Sequence, residues 1–278
     1  MKVHAIQPDG MVHKGAKGSQ GAKSQTIDRA ALILTCFSDA EPSLTLSEIA
    51  TRLDLNQSTA YRYLSTLQNA GLLTRNASGG GYRLGLRMVE LAGIALNQIE
   101  VRREALPEMD VLRDRLQFLV NLAVLDVEGG DIIHIAHSAP PGWPPRATTP
   151  GRRAVAHGTA LGKMLLAHRP WPEVRTMIER NGWRPYTDRS IQRFDVLEEE
   201  LAAIRVRGFS LDDRERAPDS LCLGAPIRNR SDQVIASLSL TGTTQTIPLE
   251  RHEELIASLM NVAGKISYRL GHPGTVAY

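Results

Sequence analysis

Residues 26–84 read as three short helices followed by a hairpin, and few folds accept that order in so short a span. Ile27, Ala30, Ala31, Leu34 and Phe37 recur at helical spacing, and the stretch 39–43, with Pro42, ends the run. Thr45-Leu-Ser-Glu48 is a capping box, in which hydroxyl and carboxylate satisfy each other's orphan backbone donors; it opens a second helix through Ile49, Ala50 and Leu53. After a break at Asp54 and Leu55, Asn56 is placed to cap a third helix that ends at Gly71. Ala60, Leu64 and Leu67 share one face of that helix, with Tyr63 at its edge, and Gln57, Ser58, Tyr61, Arg62 and Ser65 share the other. A face of amide, hydroxyl, phenol and guanidinium groups is either simply solvated or able to bind phosphates and read base edges. The sequel narrows that choice: residues 72–75 and 82–84 are strand-like, with a polar, glycine-rich turn at 76–81. Three helices and a hairpin with basic residues at its base make a winged helix-turn-helix, mostly α with a two-stranded wing. Its third helix enters the major groove while the wing lies along the backbone.

The charge distribution reads either as ordinary scatter or as the mark of a polyanion partner at this end. The chain carries 33 Lys and Arg against 30 Asp and Glu, a formal charge of +3. Residues 1–83 hold nine of the basic and six of the acidic residues, so this third carries all of the excess, and the remainder is neutral. Residues 1–24 interleave Gly10, Gly15, Gly18 and Gly21 with lysines and few large apolar side chains, which reads as a disordered basic tail. The 278 residues predict two domains or one large one. Only Cys36 and Cys222 are present, far apart, which excludes a disulfide framework and a CxxC metal site and fits a reducing compartment. No apolar run nears the ~20 residues of a membrane span, and MKVHAIQPDG lacks the apolar stretch of a secretory signal, so the expected location is cytoplasmic.

Beyond the hairpin, residues 86–104 are helical and apolar at Met88, Val89, Leu91, Ala92, Ile94, Ala95, Leu96 and Ile99, too broad a stripe for a lone surface helix. This segment is expected to link the domains and pair with a second chain. Pro107 is expected to open the next helix. Strands follow at 118–126 and 131–138, then a loop with five prolines, helices near 159–168, 172–181 and 194–207, strands at 209–213, 221–227 and 234–241, and a last helix over 249–270. Strands with helices segregated between them indicate an α+β domain. In the last strand Ser237, Ser239 and Thr241 alternate with Leu238 and Leu240, so a hydroxyl face meets solvent or a polar ligand.

Enzymatic features are sparse. His134 and His137, three apart on a strand, are expected on opposite faces, unable to share a metal ion. Gly158-Thr-Ala-Leu-Gly162-Lys163 has three residues between its glycines instead of four, and Met164 where a phosphate loop needs Ser or Thr, so a nucleotide is not expected there. Cys222 has no histidine fixed nearby by sequence and reads as a buried or pocket-lining thiol. A hydrolase using Cys222 and Asp212, with the winged domain as accessory, is the rival reading. The same residues suit a small-ligand pocket: the helix starting after Thr159 offers free N–H groups to an anionic group, while Asp212, Cys222, Ser239 and Thr241 offer a carboxylate, a thiol and two hydroxyls.

LTLSEIATRLDLNQSTAYRYLSTLQNAGLL at 44–73 followed by GGGYRLG at 79–85, HGTALGKMLLA at 157–167, YTDRSI at 186–191, LEEELAAIRVRGFSLDDRE at 197–215 and CLGAPI at 222–227 together resemble the IclR family of bacterial transcription regulators, over about residues 26–266. The resemblance implies a regulator rather than an enzyme, with an α+β, GAF-like effector-binding domain and neither metal nor cofactor. Its partners are double-stranded operator DNA and a small organic, acidic effector. The homodimer or dimer of dimers of the family is expected, and no membrane partner. Expected domains are a tail at 1–24, the winged helix-turn-helix at 25–84, a linker and dimerisation helix at 85–104, the effector-binding domain at 105–272 and a tail at 273–278. Gln57, Ser58, Thr59, Tyr61 and Arg62, with Arg75 and Arg83 on the wing, are the expected DNA contacts. Ala160, Leu161, Asp212, Cys222, Ser239 and Thr241 fall where the family's effector contacts lie. Two residues depart from the family pattern: Asp219 stands where glycine is usual, and Arg214 replaces the first of a pair of acids that Glu215 completes. An Asp219 carboxylate facing the pocket would oppose an acidic effector. Arg146, Arg152 and Arg153 either compensate by pairing with the ligand's acid or are exposed loop arginines.

Overall fold

The computed structural model describes residues 25–76, 80–143 and 149–274, so the expected tails and Arg146 lie wholly or largely outside the described residues. The chain forms two compact units that divide between Ala95 and Leu96.

In the first unit α1 (Gln25–Leu34), α2 (Leu46–Arg52) and α3 (Gln57–Asn69) surround a core of Ile33, Leu44, Ile49, Leu64, Leu67, Leu73 and Tyr82. The capping box forms as its spacing predicts: Thr45 Oγ1 accepts the Glu48 N–H at 3.2 Å, and Glu48 Oε2 accepts the Thr45 N–H at 2.7 Å. Asn56 Oδ1 accepts the Thr59 N–H at 2.8 Å and starts α3. The wing is the antiparallel pair β2 (Leu73–Arg75) and β3 (Gly81–Leu84), and the short β1 (Leu44–Thr45) adds a third strand on β3.

The helix expected over 85–104 is interrupted. α4 (Leu86–Gln98) ends before Ile99, whose extended backbone caps α5 (Glu100–Leu116) by accepting from the N–H groups of Arg102 and Arg103. Pro107 lies inside α5 rather than at its start. An internal proline costs about 3 kcal/mol, but burial of Val101, Ala105, Met109 and Leu112 on the same helix face outweighs it. The apolar stripe therefore splits: Leu86, Val89 and Ile94 on α4 are exposed, whereas Leu96 and Ile99 pack on the second core.

The second unit is a six-stranded antiparallel sheet with helices on both faces. Its strands are β4 (Leu119–Asp126), β5 (Asp131–Ser138), β6 (Arg153–Val155), β7 (Ser210–Asp213), β8 (Ser220–Arg228) and β9 (Val234–Thr243), in the order β6-β5-β4-β9-β8-β7. Val120, Leu122, Leu223, Leu238 and Leu240 pack against α5 and α9 (His252–Arg269). The opposite face is covered by α6 (Ala160–Ala167), α7 (Trp171–Asn181) and α8 (Phe194–Arg207). Among the described residues no helix is long and apolar enough to cross a membrane.

One register detail corrects an expectation. Leu122 pairs with Ala136 but Ala123 pairs with His134, so Ile135 is an extra residue, a β-bulge turned into the α5 and α9 core. His137 pairs with Asn121, two residues from Ala123, so His134 and His137 lie on the same face of the sheet. The inserted residue restores the parity that a three-residue separation otherwise breaks.

Candidate functional site

On α3, Gln57, Ser58, Tyr61 and Arg62 are exposed and Thr59 is half-buried, while Ala60, Leu64 and Leu67 are buried. The capping geometry constrains the first of these, since the Ser58 hydroxyl donates to Asn56 Oδ1 at 2.9 Å. Tyr61 is 51% exposed, unusual for a phenol on a helix with an adjacent core. The wing arginines diverge. Arg75 pairs in register with Tyr82, its guanidinium 5.1 Å from that ring's centroid and donating to the phenol oxygen at 3.0 Å. Arg83 pairs with Thr74 and projects from the opposite face of the hairpin.

In the second unit the six expected pocket residues gather on the α6 side of the sheet. Asp212 pairs with Cys222 and Cys222 with Thr241, which aligns carboxylate, thiol and hydroxyl in one cross-strand row. Ser239 lies in the next row, between Gly224 and Asn121. The Cys222 thiol lies 3.5 Å from Thr241 Oγ1, which accepts from Asn121 Nδ2 at 3.1 Å. The hydroxyl face of β9 therefore meets α6: Ser237 and Ser239 are fully buried.

Ala160 and Leu161 enter from above. Thr159 caps α6, its hydroxyl accepting the Gly162 N–H at 3.1 Å and its carbonyl the Lys163 N–H at 2.9 Å, which leaves the Ala160 and Leu161 N–H groups in the first turn, where no intrahelical acceptor exists. Two glycines permit the approach. A Cβ at Gly162 would stand 2.1 Å from the Ala156 carbonyl oxygen, and one at Gly224 would stand 2.3 Å from Ser210 Oγ and 3.1 Å from the Ala160 carbonyl oxygen. The glycine-rich phrase thus serves backbone contact. Its lysine, Lys163, is 2% exposed and forms ion pairs with Glu215 and with Glu200 at 3.3 Å; Glu200 also binds Arg207 at 2.7 Å.

Burial governs the electrostatics. Desolvation raises the Asp212 carboxyl to about 6, against the N–H bonds from Arg216 and Glu215 and the Lys163 charge. Desolvation also raises Glu215, opposed by Lys163. Enclosure, with the Asp212 charge, pushes the Cys222 thiol up, the opposite of what a thiolate nucleophile requires. Burial lowers His134 to about 4, helped by the charges of Arg216, Arg152 and His137. Among the described residues no group of three His, Cys, Asp or Glu could hold a metal ion.

The residues that depart from the family pattern lie in the turn after β7. In the turn after β7 the backbone is left-handed at Arg214, with φ of 62°. Arg214 binds Asp213 at 2.7 and 2.9 Å. Asp219 is exposed. Arg153 donates to Asp126 at 2.6 Å, and the carbonyl of Arg152 accepts the His134 N–H at 2.9 Å. Sequence reasoning passed over Asn121, Ser210 and Tyr186. The Ser210 hydroxyl holds the Ala160 carbonyl at 2.7 Å, and the Tyr186 hydroxyl accepts the Val155 N–H at 2.8 Å. A single polar residue inside LVNLAVL was the one signal available for Asn121.

Comparison with known proteins supplies the context for this geometry. Residues 26–77 match the IclR helix-turn-helix domain, and residues 93–268 match the bacterial transcriptional regulator IclR C-terminal domain. The chain is similar to the HTH-type transcriptional regulator XynR of Escherichia coli, with 28% identity over 90% of this chain and 98% of the relative. It is also similar to the HTH-type transcriptional regulator KdgR of Escherichia coli, with 30% identity over 84% of this chain and 88% of the relative. The crystal structure of an IclR homolog complexed with 4-hydroxybenzoate from Microbacterium hydrocarbonoxydans superposes with a TM-score of 0.76 at 26% identity, covering 88% of this chain and 99% of that one.

Proposed function

The chain belongs to the IclR family of bacterial transcription regulators, and from that premise we propose a division of labour between its two units. The exposed face of α3, through Gln57, Ser58, Thr59, Tyr61 and Arg62, reads an operator in the major groove, while Arg75 and Arg83 meet the phosphate backbone from opposite faces of the wing. A small organic acid binds among Ala160, Leu161, Asp212, Cys222, Ser239 and Thr241 and shifts the population of DNA-competent states. The observation that carries this reading is the row of a buried Asp212 with half-buried Cys222 and Thr241 beneath the first turn of α6, a polar surface with both charge and a hydroxyl donor on the sheet's inner face. The exposed Leu86, Val89 and Ile94 of α4 favour a homodimer or a dimer of dimers, whose two-fold symmetry an operator palindrome would match. We place its action in the cytoplasm, with its DNA. The linker extends over 85–104 and the effector-binding domain over 105–272.

Footprinting of the purified protein on DNA flanking its gene, at fixed salt, tests the reading. The expected result is protection of a palindromic site that one organic acid of a panel alters. Protection without sequence preference would overturn it.

A further inference from the structure

Two buried nitrogens beside the pocket row have no hydrogen-bond partner: Nδ1 of His134 and Nη1 of Arg216. His134 is 5% exposed, and the bulge at Ile135 turns it to the α6 side of the sheet, the side that carries Asn121, Ser239 and Thr241. Arg216 follows β7. Its backbone N–H donates to Asp212 Oδ1 at 3.1 Å, and its guanidinium lies 3.9 Å from the centroid of the Tyr186 ring. Tyr186 is itself fixed by Val155 and by Gly158, where a Cβ would lie 3.2 Å from the ring. The bond from its backbone N–H ties Arg216 to Asp212 at the end of the pocket row, and its field is felt at His134, Asp212 and Cys222.

A desolvated guanidinium nitrogen without an acceptor is costly, and native structures keep such an atom where something else completes it. The neighbouring acids do not serve. Asp213 is engaged by Arg214 and Arg189, Glu215 by Lys163 through Oε1, and Asp212 by two backbone N–H groups through Oδ1; the remaining Oε2 of Glu215 is itself buried without a partner and does not reach Arg216 Nη1. Arg152 and His137 add to the positive field of Arg216 at His134. We infer that Arg216, together with His134, is the seat of the effector's carboxylate, and that the first turn of α6 receives an oxygen at the ligand's other end. This inference rests on the effector site proposed above and gives that site a polarity: acid at the Tyr186 end, hydroxyl, keto or second acid group at Ala160 and Leu161. A planar guanidinium stacked on a ring offers two parallel N–H bonds to a carboxylate and none to a neutral amide nitrogen.

The test is a binding cycle by calorimetry at pH 7 with pyruvate, succinate and 4-hydroxybenzoate and the amide of each, on wild type, Arg216→Gln, Arg216→Lys and His134→Gln. At least one acid is expected to bind wild type, to weaken about 10- to 100-fold in Arg216→Gln, less in Arg216→Lys and His134→Gln, while its amide binds weakly and changes little between proteins. Unliganded Arg216→Gln is expected to match or exceed wild type in thermal stability, because a guanidinium with a desolvated, unbonded nitrogen has been removed. Equal acid binding by wild type and Arg216→Gln would overturn the seat, as would equal loss for acid and amide. Binding of amides alone would overturn the seat and leave the effector site standing. Binding of nothing, with an intact operator footprint, would remove both.

Discussion

The two units keep their working groups in opposite places. In the first, the core of Ile33, Ile49, Leu64 and Tyr82 lies behind α3, and the polar side chains proposed to meet DNA face outward. In the second, Asp212, Ser239 and His134 are at most 5% exposed, inside the layer that also holds the fold together. A surface site can change without touching stability, because its groups are already hydrated. A buried site cannot, because each of its polar atoms is part of the hydrogen-bond accounting of the core.

Substitutions sharpen or break that contrast. The largest effect is expected at Asp212, whose replacement by Ala strands two buried N–H groups. The effector dose response should shift by about 100-fold or more and stability should fall by about 1–3 kcal/mol, with ligand-free operator binding preserved; a normal dose response in gel-shift titrations would contradict the assignment. Acid sensitivity comes next. His157 is 3% exposed, packed edge-on against Trp183, and held at about 4 by burial and the Arg184 charge. Because the folded value lies below the unfolded one near 6.5, the histidine's contribution is present above pH 6.5 and lost as pH falls toward 4. Asp212, raised, works in the opposite sense below pH 6. Urea denaturation at pH 7 and pH 4.5 should therefore show His157→Gln losing about 2 kcal/mol less, or gaining about 2 kcal/mol more, than wild type over that interval; the same change in both proteins would mean that the imidazole titrates as if solvated. The smallest stability effect belongs to Arg62→Ala, within about 0.5 kcal/mol of wild type, although operator binding should weaken by about 1–3 kcal/mol if Arg62 reads a base, or show a shallower salt slope if it meets phosphate. Unaltered affinity at matched salt would take Arg62 off the interface.

Legibility followed the same division. The α3 face could be read from the sequence because a helix is periodic over a few residues, and Thr45, Glu48 and Asn56 mark its boundaries by local chemistry. The register of Asp212, Cys222 and Thr241 depends on strand order β9-β8-β7, which residue spacing does not encode; side-chain chemistry and the family resemblance nominated the residues, but neither supplied their alignment in one row. Where strict alternation was applied to β5 it put His137 on the wrong side, because a single inserted residue, Ile135, reverses every side chain beyond it. Ile99 and Pro107 misled in a related way. Local propensity proposes a continuous helix and then a fresh start at proline, and burial on the second core decides otherwise. The unpartnered nitrogen of Arg216 is invisible to any reading that lacks coordinates.

The contacts at Gly162 and Gly224 bear on how the site spends its binding energy. The start of α6 is packed so closely on the preceding turn at Gly162 and on β8 at Gly224 that an added Cβ would clash at either place, with the Ala156 carbonyl oxygen or with Ser210 Oγ. Its two first-turn N–H groups are consequently prepositioned before any ligand arrives, and little ordering entropy is left to oppose binding at that end. A ligand would meet a rigid anvil, and the adjustment that distinguishes one small acid from another would fall to the side chains opposite it.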